Sequence, residues 1–377
     1  MPPRSSQAPS AAELVDWIRL IRSENVGPIT FRRLLDRYGR ADLALKALPG
    51  LARRGGQRAP IRLYPRAEAE REIDVLGRLG ARLMALGEPD YPAALAQIED
   101  APPLLSILGH PRLLGTPAVG VVGARNASLG GRRLARAIAA DLGRGGLVVV
   151  SGLARGIDTA AHEGALATGT VAVLAGGVDS IYPRENDSLW RAIAEQGAVV
   201  SEMPPGQIAK ARDFPRRNRL ISGLSLGVVV IEAGARSGSL ITARMALEHG
   251  REVFAVPGSP LDPRSLGTND LIRQGAVLTE SAHDVLNTLK GRPPAPLEEP
   301  QTIDFTGYSI EPPSPAEVDR ARSAIEENLS PTPVTVDEIL RSCQLSPPVV
   351  SLVLLELELA GRLERHPGNK VSLIREA

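Results

Sequence analysis

The sequence predicts an α/β protein built on a doubly wound parallel sheet, with a small helical domain before it and a winged-helix domain after it. Three observations predict this arrangement. Short runs of Val, Ile, Leu and Ala alternate with helical stretches through the middle of the chain, which is typical of βαβ units. The first part of the chain has the pattern of short helices. The last part has the pattern of two helices and a hairpin.

The central domain is predicted to span residues 84–289. Its strand-like runs are residues 119–122, 147–150, 171–174, 198–200, 228–231 and 253–256. Helical stretches separate them at residues 129–142, 157–167, 185–195, 215–222 and 240–249. Nearly continuous apolar strands are buried on both faces, and strand–helix alternation brings them together in parallel.

The N-terminal domain is predicted to span residues 1–83. Short helices occupy residues 11–48, and a further helix is expected at residues 66–79. Gly27-Pro28 begins a basic helix, a pattern that hairpin-type binders of the DNA backbone share with ordinary helical docking modules. The segment holds 16 basic and 9 acidic residues, so nucleic acid would favour it over the acidic C-terminal part.

A Pro-rich, acidic linker is predicted at residues 290–316, followed by a winged-helix domain at residues 317–377. Thr335 and Glu338 have the spacing of a capping box that begins a helix. Ser346-Pro-Pro begins a second helix that ends at Gly361. That second helix contains Glu356 and Glu358 and no arginine, so it is badly suited to a DNA groove, and contact with protein is the better interpretation.

Composition limits the possible functions. The chain has 377 residues, a net charge of +1 and 3% aromatic residues, so any base stacking depends on very few side chains. The one cysteine, Cys343, excludes an intramolecular disulfide and a thiolate metal cage. No apolar run approaches the 18 residues of a membrane helix, and no signal-peptide pattern is present. These features predict a cytoplasmic protein without membrane insertion.

Four glycine-containing loops follow predicted strands. They are Gly123-Ala-Arg125-Asn126, Ser151-Gly152-Leu-Ala-Arg155-Gly156, Glu232-Ala-Gly-Ala-Arg236-Ser237-Gly238-Ser239 and Pro257-Gly258-Ser259. In an open parallel sheet, ligands bind beyond the carboxyl ends of the strands. Glycine lets backbone amides approach an anion, and helix N-termini bind phosphate. Four such loops, with their arginines, predict a phosphate-bearing ligand.

A basic segment lies between two of the predicted strands. It contains Lys210, Arg212, Arg216, Arg217 and Arg219 against one acid, Asp213. Pro215 suits the first turn of a helix, and Arg216 and Arg219 are three apart, so they are expected to share a helix face. Phe214 could stack on a base. The segment therefore predicts binding of a phosphate chain with unpaired bases, with a solvated helix face as the open alternative.

Enzyme signatures are missing from the sequence. There is neither a G-x-G-x-x-G fingerprint nor a G-x-x-x-x-G-K-[ST] loop. Asp158 and His162 are four apart, but such a pair is far more often a surface feature than a metal site. Glu202 and Glu232 end predicted strands without a partner nucleophile. The prediction is no catalytic residue, no metal and no cofactor.

An ordered set of motifs across the core resembles the DNA-processing protein A (DprA, or Smf) family. The motifs are Val122-Gly-Ala-Arg125, Ser151-Gly-Leu-Ala-Arg-Gly-Ile-Asp158 with Ala161-His162, Gly177 with Tyr182-Pro183 and Asn186, Ser201-Glu202, Phe214-Pro-Arg-Arg-Asn-Arg-Leu-Ile221, Glu232-Ala with Ser237-Gly-Ser-Leu-Ile-Thr-Ala243, and Val256-Pro-Gly258 with Gly267-Thr-Asn-Asp-Leu-Ile272. The resemblance implies an extended Rossmann-like core, a sterile-alpha-motif-like N-terminal domain and a winged-helix C-terminal domain.

The resemblance also implies a function. Members of the family act in natural transformation: they bind incoming single-stranded DNA, protect it, and load the recombinase RecA while displacing single-strand-binding protein. They work as homodimers and are not known as enzymes. The family's DNA pocket corresponds here to Arg125, the loop of residues 151–156, Lys210, Arg212 and the segment of residues 214–219, which includes Asn218. Arg184 matches a position that is basic in some members.

Two other functions stay open from the sequence. The sheet also resembles that of nucleotide phosphoribohydrolases, which have a Pro-Gly-Gly-x-Gly-Thr-x-x-Glu loop after a strand. The corresponding loop here, residues 232–243, lacks both the Pro-Gly-Gly start and the following Glu. A winged-helix transcription factor with a regulatory α/β domain is the third interpretation, and the acidic helix argues against it.

Overall fold

The computed structural model describes residues 8–290, 315–366 and 368–374. These residues form two compact units. The first contains residues 8–17 and 66–290, and the second contains residues 18–65 with the described part of the C-terminal segment. The division falls within helix α1 (Ala11–Arg22). The predicted linker, residues 290–316, lies outside the described residues except for Lys290, Pro315 and Ala316.

A nine-stranded sheet is the centre of the first unit, in the order β1-β2-β6-β5-β4-β3-β7-β8-β9. Its strands are β1 (Arg82–Ala85), β2 (Leu104–Gly109), β3 (Ala118–Gly123), β4 (Val148–Ser151), β5 (Thr170–Val173), β6 (Ala198–Ser201), β7 (Gly227–Ile231), β8 (Glu252–Ala255) and β9 (Val277–Leu278). Neighbouring strands from β6 to β9 are parallel, whereas β2 pairs antiparallel with both β1 and β6.

Helices connect these strands. They are α4 (Arg66–Arg78), α5 (Ala93–Ala96), α6 (Leu129–Arg144), α7 (Ile157–Ala165), α8 (Asp187–Gln196), α9 (Asp213–Gly223), α10 (Ser239–Glu248), α11 (Leu266–Arg273) and α12 (Ala282–Lys290). Buried side chains of β3, β4 and β7 pack against α6, α7 and α12 in one apolar core. This packing fixes the carboxyl ends of the central strands.

The predicted fold class is confirmed. All six predicted strands and the five helices between them are present within a few residues of their expected positions. The sequence interpretation missed β1, β2 and β9. The four-residue β1 is half exposed and the two-residue β9 is not fully buried, so neither has the continuous apolar pattern of the central strands.

The second unit contains the winged helix. Its elements are α2 (Pro28–Tyr38), α3 (Ala41–Arg54), α13 (Pro315–Asn328), β10 (Val334–Thr335), α14 (Val336–Cys343), α15 (Pro347–Leu359), β11 (Leu363–His366) and β12 (Lys370–Leu373). The strands form a three-stranded sheet in the order β10-β12-β11. The predicted capping box between Thr335 and Glu338 begins α14.

Helix α15 is buried along most of its length, and its acids lie within the unit. The Glu356 side chain is fully buried between Arg54 of α3 and Arg322 of α13, each 2.6 Å from a carboxylate oxygen. Glu358 accepts a hydrogen bond from Thr30 at 2.6 Å and pairs with Arg365 at 2.8 Å. The sequence interpretation took both acids as a reason why this helix is badly suited to a DNA groove, without identifying their partners. The structure uses them to join α15 to the N-terminal helices.

Candidate nucleic-acid interface

The central feature of the first unit is the crevice between β3 and β7. These strands run parallel, and their last residues, Gly123 and Ile231, are paired. The chain leaves β3 toward β4 on one side and returns at β7 on the other, so the loops that follow them diverge. Ligands of doubly wound sheets bind at such a switch point. A cleft of about 530 Å³ opens here.

The loops after β3 and β7 and helices α9 and α10 supply most of the lining of this cleft, and Ala154 and Asp158 complete it. The loop after β3 contributes Gly123, Arg125 and Asn126, and the loop after β7 contributes Gly234, Arg236, Ser237 and Gly238. Helix α10 begins at Ser239 with no acid in its first turn, so its N-terminal dipole favours an anion in the cleft. The loop after β8 does not line the cleft, and the Gly258 amide donates to the Asn269 side chain.

Helix α9 presents one face to the cleft. Phe214, Arg217, Asn218 and Ile221 line it, and their spacing of three, four and seven residues puts them on one side of a helix. Arg216 is exposed and lines none of the described clefts. The expectation that Arg216 and Arg219 share a ligand-binding face is therefore wrong.

Arg219 lies on the buried side of α9. It is 5% exposed, pairs with the Glu202 carboxylate, and lies 3.4 Å from a carboxylate oxygen of Asp100. Its charge is neutralised inside the unit, so the structure removes Arg219 from the predicted site. Glu202, considered as a general base from the sequence, is committed to the same ion pair.

Arg217 replaces Arg219 as the inward-facing cation of α9. It is only 5% exposed, and its Nη1 donates to the Val173 carbonyl at 2.7 Å. Burial lowers the pKa of Arg217 to about 10, with Asp158 opposing the shift and Arg125 adding to it. Among the described residues its Nε has no partner. Arg217 therefore contributes a buried positive charge to the lining of the cleft.

Asp158 is the carboxylate beside Arg217, and it determines the path of the loop after β4. Its Oδ2 accepts hydrogen bonds from the amides of Gly152 at 3.1 Å and Ala154 at 3.4 Å. Burial raises the pKa of Asp158, and Arg217 opposes that shift. These amides are engaged by the protein. They are not available to a phosphate, although the glycine pattern predicts that they would be.

Two predicted residues of this loop are structural. Ser151 is fully buried and donates its hydroxyl hydrogen bond to the Val121 carbonyl at 2.6 Å, so it does not reach a ligand. Gly152 packs directly against the Arg217 guanidinium and leaves no room for a Cβ atom. Gly152 is therefore needed to admit Arg217.

His162 is a core residue. The Thr170 hydroxyl donates its proton to the Val149 carbonyl. Its oxygen lies 2.7 Å from His162 Nδ1 and has no second proton to give, so Nδ1 is protonated and donates to that oxygen. Burial lowers the pKa of His162 to about 3, and Arg217 adds to the effect. His162 and Asp158 thus bind different protein groups. Within the described ranges, no three His, Cys, Asp or Glu side chains are grouped to hold a metal ion.

Arg125 crosses the mouth of the cleft. Its guanidinium carbon lies 5.3 Å from the centre of the Phe214 ring, a cation–π distance. The loop is held from below by the Ile157 amide, which donates to the Ala124 carbonyl at 3.3 Å. Gly156 has a φ of +81° and packs against the carbonyls of Ala124 and Arg125. Glycine at this position therefore fixes the backbone beneath Arg125.

A narrower cleft of about 230 Å³ adjoins the first. Arg125, Asn126, Ala154 and Phe214 line both, and the narrow cleft adds Gly152, Arg155, Tyr182 and Pro183. Arg155 pairs with Glu185 at 2.7 Å. Tyr182 contacts Phe214 edge to face, with ring centres 5.6 Å apart. The sequence interpretation used Tyr182 only as part of a family motif, because its proximity to Phe214 depends on the tertiary fold.

Several cations around the clefts have no carboxylate partner within ion-pair distance among the described residues. They are Arg125, Arg184, Lys210, Arg216 and Arg236, and all are exposed. Arg212 is also exposed and lies only 4.0 Å from its neighbour Asp213. The cleft region is therefore suited to a polyanion.

Glu232 is turned away from the cleft. Its carboxylate accepts hydrogen bonds from the Ser128 amide at 2.8 Å and from the Ser128 hydroxyl, and it does not line the cleft. It positions the start of α6. A carboxylate in this role is badly placed to act as the base of a phosphoribohydrolase.

Comparison with protein families gives three matches. Residues 82–290 match a family described as DNA recombination-mediator protein A. Residues 11–75 match a DprA-like N-terminal HHH domain, and residues 309–369 match a DprA winged helix domain. The matches follow the order of the helical segment, the sheet and the winged helix along the chain.

Individual relatives extend over most of the chain. Protein Smf of Escherichia coli is 36% identical over 369 residues, covering 95% of this chain and 96% of the relative. DNA processing protein DprA of Streptococcus pneumoniae is 48% identical over 198 residues, covering 52% of this chain and 70% of the relative.

Two solved structures are similar to large parts of this one. The X-ray structure of DprA from Streptococcus pneumoniae has a TM-score of 0.64 at 36% identity, covering 74% of this chain and 98% of that one. DNA processing protein A from Helicobacter pylori, described for its single-stranded DNA binding mode, has a TM-score of 0.51 at 31% identity, covering 56% of this chain and 95% of that one.

Proposed function

The chain belongs to the DprA/Smf family, and on that premise we propose that it binds single-stranded DNA in the cleft between β3 and β7. One observation carries the proposal: two guanidinium groups and an aromatic ring meet in that cleft. Arg125 lies over Phe214, and the buried Arg217 lines the same cleft. Since Asp158 is the carboxylate lining the cleft, positive charge exceeds negative charge there. The phosphates of a DNA strand would neutralise this excess positive charge.

Single strands are preferred in this proposal because the ring of Phe214 is available only to an unpaired base. Stacking on an aromatic side chain tolerates every base, since each has a π-face. We therefore expect little sequence preference. The Helicobacter pylori relative, described for its single-stranded DNA binding, supports the same ligand.

The finer biological role is proposed from the resemblance to the family. The protein is proposed to act in the cytoplasm during natural transformation, to protect incoming single strands, and to load RecA while displacing single-strand-binding protein. Homodimerisation is also proposed, and exposed leucines on successive elements at one end of the sheet support it. They are Leu247 of α10, Leu261, Leu266 of α11 and Leu278 of β9.

The protein is proposed to act by binding without catalytic turnover. Glu202 and Glu232 are both engaged by other protein groups. Asp158, the carboxylate that lines the cleft, accepts hydrogen bonds from the Gly152 and Ala154 amides, so none of these three acids is free to act as a general base. Release of base from a nucleoside monophosphate, abolished by Glu232→Gln, would instead favour a phosphoribohydrolase. As for membranes, no helix among the described residues is long and apolar enough to cross one.

The proposal is tested by titrating a labelled oligothymidylate and a duplex of equal length with the full chain. The expected result is tighter binding of the single strand and a negative salt dependence, with a slope of about −0.7 per phosphate neutralised. Equal affinity for the duplex, or binding that does not weaken with salt, would contradict the proposed ligand.

A further inference from the structure

Tyr182 is an exposed aromatic residue that the proposed function does not use. It is 55% exposed, although one edge of its ring contacts Phe214. A large aromatic side chain that remains half in solvent costs hydrophobic free energy unless something covers it. Because Tyr182 lies beside Phe214, the proposed base-stacking residue, a second base is the group expected to cover it.

Another cleft, of about 560 Å³, lies against Tyr182. Its lining includes Asp179, Tyr182, Arg184, Asp187 and Ile208. Tyr182 lines this cleft and the narrow one, and Phe214 and Arg125 line the narrow cleft and the main one. The three clefts therefore form a continuous series, with Phe214 at the first boundary and Tyr182 at the second.

The lining of this far cleft fits a base better than a phosphate. Ile208 is 78% exposed and offers an apolar surface in the same cleft as the Tyr182 ring. Two carboxylates, Asp179 and Asp187, also line it and would repel a phosphate within it. Asp179 is fixed by the Gly206 amide, which donates to it at 2.8 Å.

Arg184 is the cation of the far cleft. It is exposed and, among the described residues, has no acidic partner, whereas Asp187 pairs with Arg191 at 2.9 Å. An unpaired guanidinium beside an apolar cleft can bind the phosphate of a nucleotide whose base lies inside.

We propose that the far cleft binds a second unpaired base of the same DNA strand, stacked on Tyr182 and covered by Ile208, with its phosphate at Arg184. This inference rests on the proposed function, because the strand must first occupy the main cleft. It makes Tyr182 a second stacking platform and extends the strand path beyond the cleft at β3 and β7.

The test is a scan with oligonucleotides that carry one 2-aminopurine at successive positions, since stacking on an aromatic ring quenches this base. With the full chain, quenching is expected at two separated positions. Tyr182→Ala should abolish one of them, keep the other, and weaken binding of a long oligonucleotide by about tenfold, the order expected for one lost stacked base. Tyr182→Phe keeps the ring and should keep both positions.

Ile208→Asp provides an independent variant, because this exposed side chain can be replaced without disturbing the core. It should weaken quenching at the Tyr182 position alone. A single quenched position in the natural protein, or unchanged quenching in Tyr182→Ala, would overturn the inference while leaving single-strand binding intact. Absence of any binding to single strands would instead overturn the proposed function.

Discussion

Arg125→Ala is expected to weaken binding of single-stranded DNA by about ten- to hundredfold. The side chain has no acidic partner among the described residues and lies over Phe214 at the mouth of the cleft. Its loop is held by Ile157 and Gly156, so the guanidinium is positioned before the ligand arrives. Losing one charge-assisted phosphate contact costs about 1.5–3 kcal/mol, which corresponds to that range of affinity.

A charge-matched control separates this local effect from a general loss of positive charge. Arg144 lies at the far end of α6, at the opposite edge of the sheet, and its side chain is exposed. Arg144→Ala should leave affinity nearly unchanged in the same titration. Equal weakening by both variants, with circular dichroism unchanged, would show that Arg125 contributes only to the overall field.

Arg217→Met is expected to destabilise the fold by about 3–5 kcal/mol, the usual cost of leaving a buried charge without its partner. Arg217 and Asp158 are both more than nine-tenths buried, and removal of the guanidinium takes away the cation that favours the charged form of Asp158, leaving the carboxylate with the Gly152 and Ala154 amides. Its neighbour Arg216 is exposed, so Arg216→Met should change stability by less than about 0.5 kcal/mol. Chemical denaturation of the core measures both.

The double variant Arg217→Met with Asp158→Asn tests the cause. Neutralising Asp158 should recover part of the lost stability, because buried pairs replaced on both sides cost far less than pairs broken on one. No recovery would mean that Arg217 acts through packing or through its bond to the Val173 carbonyl. A stability loss equal to that of Arg216→Met would contradict the structural position of Arg217.

The central strands could be predicted because continuous apolar runs leave few alternatives. The side of helix α9 that faces the cleft could not be predicted. Charge alone favoured Arg216 and Arg219, but Leu220 and Ile221 set which side of the helix is buried, and this turns Arg217 into the cleft. Its spacing of three residues from Phe214 was the available signal. Whether Arg217 or Arg219 faces the ligand still depends on the tertiary packing.

Pairings between residues far apart in the chain explain why the partners of the α15 acids in the N-terminal helices were not predicted. Considered alone, the winged helix indicates only that the acids of α15 disfavour a DNA groove. Arg54, the partner of Glu356, is 302 residues away in the chain, and no local pattern joins them. Asp158 takes the glycine-loop amides that the sequence assigned to phosphate, since a ligand and a buried carboxylate need the same donors.

The most direct test of the central claim is to locate the DNA on the protein. An oligothymidylate with 5-iododeoxyuridine at single positions would be bound to the full chain, cross-linked by light and mapped by mass spectrometry. We predict cross-links to Phe214 and to peptides of the loops after β3 and β7. Cross-links confined to residues 315–374, or to the helices of residues 28–54, would place the DNA on the second unit and contradict the proposed interface.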